Sequence, residues 1–419
     1  MRARLVIWGG FALLLLLAPL VFTSSFGITV LSQIGIAIVA CLSYNILLGQ
    51  GGMLSFGHAV YTGLATYVAI HALVAIGAST LPLPVSLIPL VGGLAGMAFA
   101  VVLGYVTTKK AGTPFAMITL GIGELVFAMS LMVPEFFGGE GGISANRSVG
   151  QPVFGVTFGP QIQVYYLIAV YTFLATAAMF AFTRTPLGRM LNAVRDNPER
   201  VEFVGYSTQH VRYFAFIVAG FFAGISGGMY ALSFEIATAE VVGPFRSGGY
   251  LLFTFLGGAI FFFGPIIGGV LMVLASVLLS EWTRAWQIYL GLVFLFMVMY
   301  APGGIASLIM MNLRVAAHRR LQPLLGWYAV LGVSAVALLA AAAALIELVY
   351  HRQLAATAGT GFRFLGIPLD TGVLAHWLAV LAIVFVTAAI FETVRRRFAG
   401  RWGATQAAIE ADLTVKEPA

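Results

Sequence analysis

Glu124 is the residue whose chemistry most needs an explanation, because it stands mid-way in an apolar stretch, Thr119-Leu120-Gly121-Ile122-Gly123-Glu124-Leu125. A carboxylate inside hydrocarbon is costly, so it is expected to face a solute pathway or a hydrogen-bond partner. Ionised, it would meet a cation such as a substrate ammonium group; protonated, it would bond a neighbouring helix, and both readings stay open. A second polar patch, Gly49-Gln50-Gly51-Gly52-Met53-Leu54-Ser55-Phe56-Gly57-His58, separates two long apolar runs. Backbone that leaves a helix at membrane depth is tolerated where it is buried in protein or lines a cavity, which is where transporters place pathways and joints. Asn45, Gly49, Gly52, Ser55, Gly57 and His58 are therefore candidates for a translocation pathway or its hinge. For Ser55 and His58 the alternative is a structural role, bonding backbone groups freed where the helix breaks. His71, near a helix end and without a ligand set, reads as interfacial.

The third group lies in a loop over residues 184–205, which holds Arg184, Arg189, Arg195 and Arg200 with Asp196, Glu199 and Glu202. Leu187, Met190, Leu191 and Val194 fall on one helical face, Arg189 and Asp196 on the other, and Pro198 breaks the run. Such a segment lies on a lipid surface or docks in a groove of a soluble partner. On the opposite side, the loop from Pro134 to about Gln161 carries Gly138-Gly139-Glu140-Gly141-Gly142-Ile143, then Asn146, Arg147, Gln151 and Pro152. Its length and irregular backbone suit reception of a solute-delivery protein or a cover over the pathway.

Other chemistries are excluded by spacing. His58, His71, His210, His318, His351 and His376 are scattered without ligand spacing, Cys41 is the single cysteine, and no nucleophile stands with a base. No metal or cofactor is expected, and no enzymatic activity. Lys109, Lys110 and Lys416, the only lysines, follow Thr108, Lys109 and Val415, so the Gly-Lys-Ser/Thr phosphate loop is missing and this chain does not hold ATP by that motif. Energy must come from a partner or an ion gradient.

The elements that position these residues are membrane helices. Hydrophobic residues make up 60% of the chain and charged residues 9%, against about 25% in a soluble domain, and the mean hydropathy is +0.99. Apolar runs near 5–23, 27–48, 57–77, 84–107, 114–134, 163–183, 212–233, 248–263, 265–281, 285–301, 325–348 and 373–393 make twelve candidate crossings. The expected fold is an all-α polytopic bundle of about 10–12 spans with a broken-helix hinge near residues 49–58. The first run reads as a retained helix rather than a cleaved signal, because Thr23-Ser24-Ser25 is a weak cleavage site. The pair over 248–281 is either two short helices about Gly264-Pro265 or one kinked segment, and the equal apolar lengths favour two. Gly92 and Gly96, and Gly220, Gly224 and Gly228, recur at helical spacing and suit close helix packing. Threading with the N-terminus inside puts 17 of the 22 Lys and Arg on the cytoplasmic side, leaving Arg147, Arg246, Arg284, Arg352 and Arg363 outside. The net charge of +7 thus reflects orientation and anionic lipid; the charges are scattered and not interleaved with aromatics, so no nucleic-acid partner is expected.

Four stretches in series carry a family resemblance. They are Leu42-Ser43-Tyr44-Asn45-Ile46-Leu47-Leu48-Gly49 running into Gly52-Met53-Leu54-Ser55-Phe56-Gly57-His58-Ala59-Val60-Tyr61; Gly112-Thr113-Pro114-Phe115-Ala116-Met117-Ile118-Thr119-Leu120; Thr185-Pro186-Leu187-Gly188-Arg189 with Ala193-Val194-Arg195-Asp196-Asn197, Glu202 and Gly205; and Leu256-Gly257-Gly258 with Gly264-Pro265-Ile266-Ile267-Gly268-Gly269. In this order, over roughly residues 27–310, the chain resembles the permease family of ABC importers for branched-chain amino acids. The resemblance implies a pore-forming subunit of a bacterial-type cytoplasmic (inner) membrane, both termini cytoplasmic. Its implied partners are a second permease subunit, ATP-binding ABC subunits and an external solute-binding protein. Gly188, Arg189, Arg195, Asp196, Asn197, Glu202 and Gly205 then belong to the ATPase coupling loop, its apolar face seated in the ATPase groove. The implied division is 1–26 as an N-terminal helix, 27–312 as the permease core, and 313–419 as an extension with two further spans and a polar tail. The rival is a proton- or ion-coupled secondary transporter using Glu124.

Overall fold

Apolar runs without water to bond their backbone satisfy it internally as helices, and helices dominate the computed structural model. It describes residues 2–150, 156–283, 285–318, 322–354 and 359–416; Gln151, Pro152, Arg284, Arg319 and Arg320 lie outside these. Internal packing divides the chain into two units, Met1–Leu278 with Phe296–Ser307, and Leu279–Leu295 with Leu308–Ala419.

The first unit begins with α1 (Arg2–Val21) and α2 (Ser25–Asn45), which a π-helical turn over Ile46–Gln50 prolongs. It continues with α3 (Ala59–Gly77), α4 (Ile88–Thr107), α5 (Thr113–Met132) and the short α6 (Pro134–Phe137). After β1 (Ile143–Ser144) come α7 (Gln161–Arg184), α8 (Pro186–Asp196), α9 (Pro198–Phe203) and α10 (Thr208–Phe234). Then follow β2 (Ile236–Ala237), a 3-10 turn over Ala239–Val242, α11 (Pro244–Gly257) and α12 (Gly264–Leu274) with a π-helical turn over Ala275–Leu279. The strands pair antiparallel, Ile143 opposite Ala237. The inner helices are α3 and α10, each with 78% of its apolar window buried.

The glycines read from helical spacing meet across one seam. Gly92 and Gly96 of α4 lie against Gly220, Gly224 and Gly228 of α10, so close that a Cβ on Gly224 would stand 3.0 Å from the Gly93 Cα. Without side chains between them the backbones gain dispersion contact that lipid tails would not provide.

Among the described residues, eight helices are long and apolar enough to cross a membrane, or nine if α14 (Trp286–Tyr300) and α15 (Gly304–Ala317), bent by 48°, form one span. The chain is a multi-pass membrane protein. Residues 248–281 do form two helices about the Gly258–Phe263 turn, but neither α11 nor α12 is a full crossing. The 14 residues of α11 reach only about 21 Å against a hydrocarbon thickness of about 30 Å. The reason lies in the segment before it: after α10 the chain turns back into the bundle, and a Cβ on Gly63 of α3 would stand 2.6 Å from the Val241 carbonyl oxygen. α11 therefore starts from inside. Gly258, at φ +114°, makes the reversal that an L side chain would strain.

The second unit contains α13 (Ser280–Trp282), α16 (Gln322–Leu354) and α17 (Leu374–Lys416), the latter two joined by the hairpin β3 (Gly361–Phe364) and β4 (Ile367–Asp370). α16 and α17 bury only 11% and 6% of their apolar windows, leaving most of their surface for lipid. Glu347 is not alone in its span: Thr283 Oγ1 and Tyr289 OH both donate to its carboxylate.

The α4–α10 seam is open to test. Gly224→Leu is expected to cost upwards of about 1–3 kcal/mol by overpacking and to lower the unfolding temperature in detergent. Gly121→Leu, in open space, should leave it within a degree or two.

Candidate functional site

The hinge takes shape where α2 stops. Met53 N–H turns back to Leu47 O at 2.8 Å and Gly52 N–H to Leu48 O at 3.0 Å, with Gly52 at φ +62°. Residues 53–58 then run without regular helix until α3 begins at Ala59. The end of α2 itself and two other helices, α5 and α11, satisfy the freed backbone: Tyr44 OH donates to Ser55 O at 2.8 Å, Phe56 N–H donates to Thr119 Oγ1 at 3.1 Å, and Ala59 N–H donates to Ser247 Oγ at 3.0 Å. All four side chains involved or capped here, Tyr44, Ser55, Thr119 and Ser247, are buried. Gly57 is backed onto the Thr119 carbonyl, and Gly49 onto the Ala259 carbonyl and the Asn45 side chain, so a Cβ at either position would collide.

His58 is fully buried at the end of this segment, its ring edge-on to Tyr44 at 5.1 Å and to Tyr250 at 6.2 Å. Its Nε2 is 2.9 Å from Ser43 Oγ, whose own hydroxyl donates to Ala40 O at 2.8 Å. With that proton committed, Nε2 must carry the hydrogen and donate, which leaves Nδ1 a bare acceptor. Nδ1, Ser55 Oγ and Asn45 Oδ1 are buried without a partner among the described residues. The hinge is thus clamped through its backbone while its side chains keep spare polar capacity.

The loop over 184–205 reaches this hinge directly. Thr185 caps α8, its Oγ1 accepting from Gly188 N–H at 3.2 Å, and Asn197 caps α9, its Oδ1 accepting from Arg200 N–H at 3.0 Å. Pro198 begins α9 after the cap, which is why the loop holds two short helices instead of one. Arg195 donates through Nη1 to Gly49 O and through Nε to Asp196 Oδ1 at 2.9 Å. Its aliphatic stem covers Gly52, and Leu191 packs on Gly51. Glu202 accepts from Thr208 Oγ1 at 2.8 Å and fastens α9 to α10, and Gly205 makes the turn between them at φ +92°.

This corrects the reading of the loop's apolar face. Leu191 and Val194 are buried in the chain's own core, with Leu187 and Met190 packed beside them, because the hinge glycines leave a depression that those side chains fill. The surface free for a partner is the other one: Arg189 and Arg200 are exposed, and Phe203 and Val204 are 89% and 74% exposed.

Gly123 faces Gly57, yet Glu124 is exposed and forms no hydrogen bond or ion pair among the described residues. Of the two readings, a bond to a neighbouring helix finds no partner among the described residues. His71 is more than interfacial, since its Nε2 lies 2.8 Å from Phe136 O and ties α3 to α6.

Two arginines carry more than their sequence positions suggested. Arg147 reaches Phe158 O, Gly159 O, Gln161 Oε1 and Leu232 O at 2.9–3.2 Å, and its own N–H donates to Glu235 Oε1 at 2.7 Å. It fastens the long loop to the end of α10. Arg246, read as a loop residue outside, stands in the first turn of α11, with its Nε donating to Tyr250 OH at 3.0 Å. The available signal for both was isolation: each is a lone arginine on the arginine-poor side.

A broken helix held by its own Tyr44 and by two neighbours, joined to an amphipathic loop within a multi-pass bundle, defines a membrane transport protein of the permease class. The chain belongs to the family described as branched-chain amino acid transport system / permease component, which residues 27–302 match. This is a family of transport subunits, not of enzymes. Among similar proteins, the high-affinity branched-chain amino acid transport system permease protein LivM of Salmonella typhimurium is 27% identical over 294 residues, covering 64% of this chain and 67% of the relative. LivM of Escherichia coli is 26% identical over 293 residues with the same coverage. The guanosine ABC transporter permease protein NupQ of Bacillus subtilis is 31% identical over 80 residues, 19% of this chain and 24% of its own. No solved structure matches.

Tyr44→Phe isolates one clamp. It leaves the buried Ser55 carbonyl without its donor, at a cost of about 1–3 kcal/mol. The expected result is a lower unfolding temperature in detergent and faster amide exchange over residues 53–58.

Proposed function

We propose that this chain is a membrane-spanning permease subunit of an ABC importer in the inner membrane, carrying branched-chain amino acids or related small polar solutes. A second permease subunit, separate ATP-binding subunits and an external solute-binding protein complete the machine. The observation that carries this reading is the bond from Arg195 to Gly49 O. A force applied to α8 and α9 bears through Arg195 and Leu191 on Gly49–Gly52, where the helix is already interrupted, and no other element need intervene. Phe203 and Val204, with Arg189 and Arg200 beside them, form the surface that an ATPase would grip. Asn45, Ser55, Gly57 and His58 line the joint that moves. Residues 27–312 form the translocation core in this reading, 1–26 a preceding helix, and 313–419 an added hairpin of two spans. The substrate class comes from the LivM relatives, while the guanosine permease shows that similar segments serve other solutes. A secondary transporter driven through Glu124 fits less well, because that carboxylate has no cationic or polar partner among the described residues.

Charged hydrogen bonds are worth about 1.5–3 kcal/mol, so Arg195→Ala is expected to slow ATP-driven uptake by about 10- to 100-fold in proteoliposomes of the whole complex. Arg195→Glu and Asp196→Arg should abolish it, with the protein still inserted and still assembled in the complex. Normal uptake in all three would remove the loop from the mechanism, and uptake that collapses with the proton gradient would instead indicate ion coupling. Orientation is tested separately: a cysteine placed at Lys110 should react with an impermeant reagent only from the cytoplasmic face, and one at Asn146 only from the outside.

A further inference from the structure

Arg246 is a cation without an anion. Its Nε donates to Tyr250 OH, and its guanidinium lies 4.2 Å from the centre of the Tyr230 ring. Among the described residues it pairs with no carboxylate: Glu235 is bound to Arg147, and Glu240 is exposed and reaches no cation. Its depth follows from its neighbour in sequence, since Ser247 bonds Ala59 N–H at the start of α3, inside the bundle. A guanidinium at such a place is costly unless something compensates it. A π-face and one phenol engage only part of its five donors.

The guanidinium lines a cavity of about 100 Å³, together with Gln33, Tyr230, Tyr250, Met272 and Ser276. Gln33 makes no hydrogen bond with the described residues and adds an amide donor. The space is enough to hold several waters or a carboxylate group. α11 also begins here, at Pro244, so its N-terminal dipole adds to the positive field.

We propose that Arg246, with Gln33 and Tyr250, forms a subsite for the carboxylate of the transported solute. Planar guanidinium and planar carboxylate match in a two-bond fork, and the apolar side of the cavity, Met272 and Val273, faces the solute's carbon skeleton. The subsite admits monocarboxylates such as amino acids and discriminates against solutes that lack the group, nucleosides among them. It deepens the transport reading above and rests on it for the word solute.

The test uses the full chain purified in nanodiscs, with the shift of its unfolding temperature read against added L-leucine, L-leucinamide, guanosine and inorganic phosphate. Leucine is expected to raise the midpoint in a saturable way, and leucinamide, guanosine and phosphate are not. Arg246→Gln should weaken the leucine effect by about 10- to 100-fold and Arg246→Lys by less, since a lysine keeps the charge but loses the fork. Gln33→Leu, which leaves the Tyr230 contact intact, should weaken it several-fold and decides the matter if Arg246→Gln fails to fold. No leucine effect in the unsubstituted chain, an equal effect from phosphate or leucinamide, or an unchanged effect in the folded variants would overturn the proposal. Uptake by the whole complex separates this from the larger reading: leucine binding without ATP-driven uptake would sink the importer and leave the subsite.

Discussion

Everything specific about this structure depends on one constraint: between Gln50 and Ala59 the backbone leaves the helix inside an apolar bundle, where water cannot bond it. Each freed group therefore requires a protein partner, and the partners come from α2, α5 and α11, through Tyr44, Thr119 and Ser247. Those three helices cannot then be placed independently. The glycines at 49 and 57 let two other strands of backbone approach the hinge closely enough to complete the clamp. A break at the end of α2 thus organises two other helices.

The same region is soft where the rest of the unit is stiff. The seam between α4 and α10 is backbone against backbone, without side chains to repack, and it behaves as a rigid frame. The hinge instead contains a π-helical turn, a left-handed glycine and three buried polar atoms without partners. Interrupted helices with spare polar groups are places where two arrangements of similar energy can exist. Arg195 attaches a surface loop to that soft spot. α11, which starts inside the bundle, brings Ser247 to the hinge and the adjacent Arg246 to the cavity, so the joint and the carboxylate subsite share one short helix.

The family match ends at residue 302, and the hairpin of α16 and α17 lies wholly beyond it. Its two helices are mostly exposed along their apolar windows and pack on each other, and within the same unit Glu347 accepts from Thr283 and Tyr289.

The helical class, the number of apolar runs, the hinge and the amphipathic loop were all legible in the amino-acid sequence, because hydrophobic periodicity and glycine placement are local properties. Pairing Gly92 and Gly96 with Gly220, Gly224 and Gly228 was legible as packing, though not as one shared seam. What no local pattern contains is which groups meet. The direction of α8's apolar face depended on a depression made by glycines 140 residues away in the chain, roughly the separation of Gly51 and Leu191. Arg246 read as a loop residue because it precedes the apolar run that begins at 248, and only the return of the chain after α10 explains how the first turn of so short a helix is buried. The exposure of Glu124 was likewise undecided until the faces of α5 were assigned. Sequence by itself determined that the chain is a membrane bundle and where one of its helices breaks, since each apolar run meets the hydrocarbon alone; tertiary structure decided which runs are full crossings and which polar groups meet, since a buried donor takes its partner from wherever packing brings one.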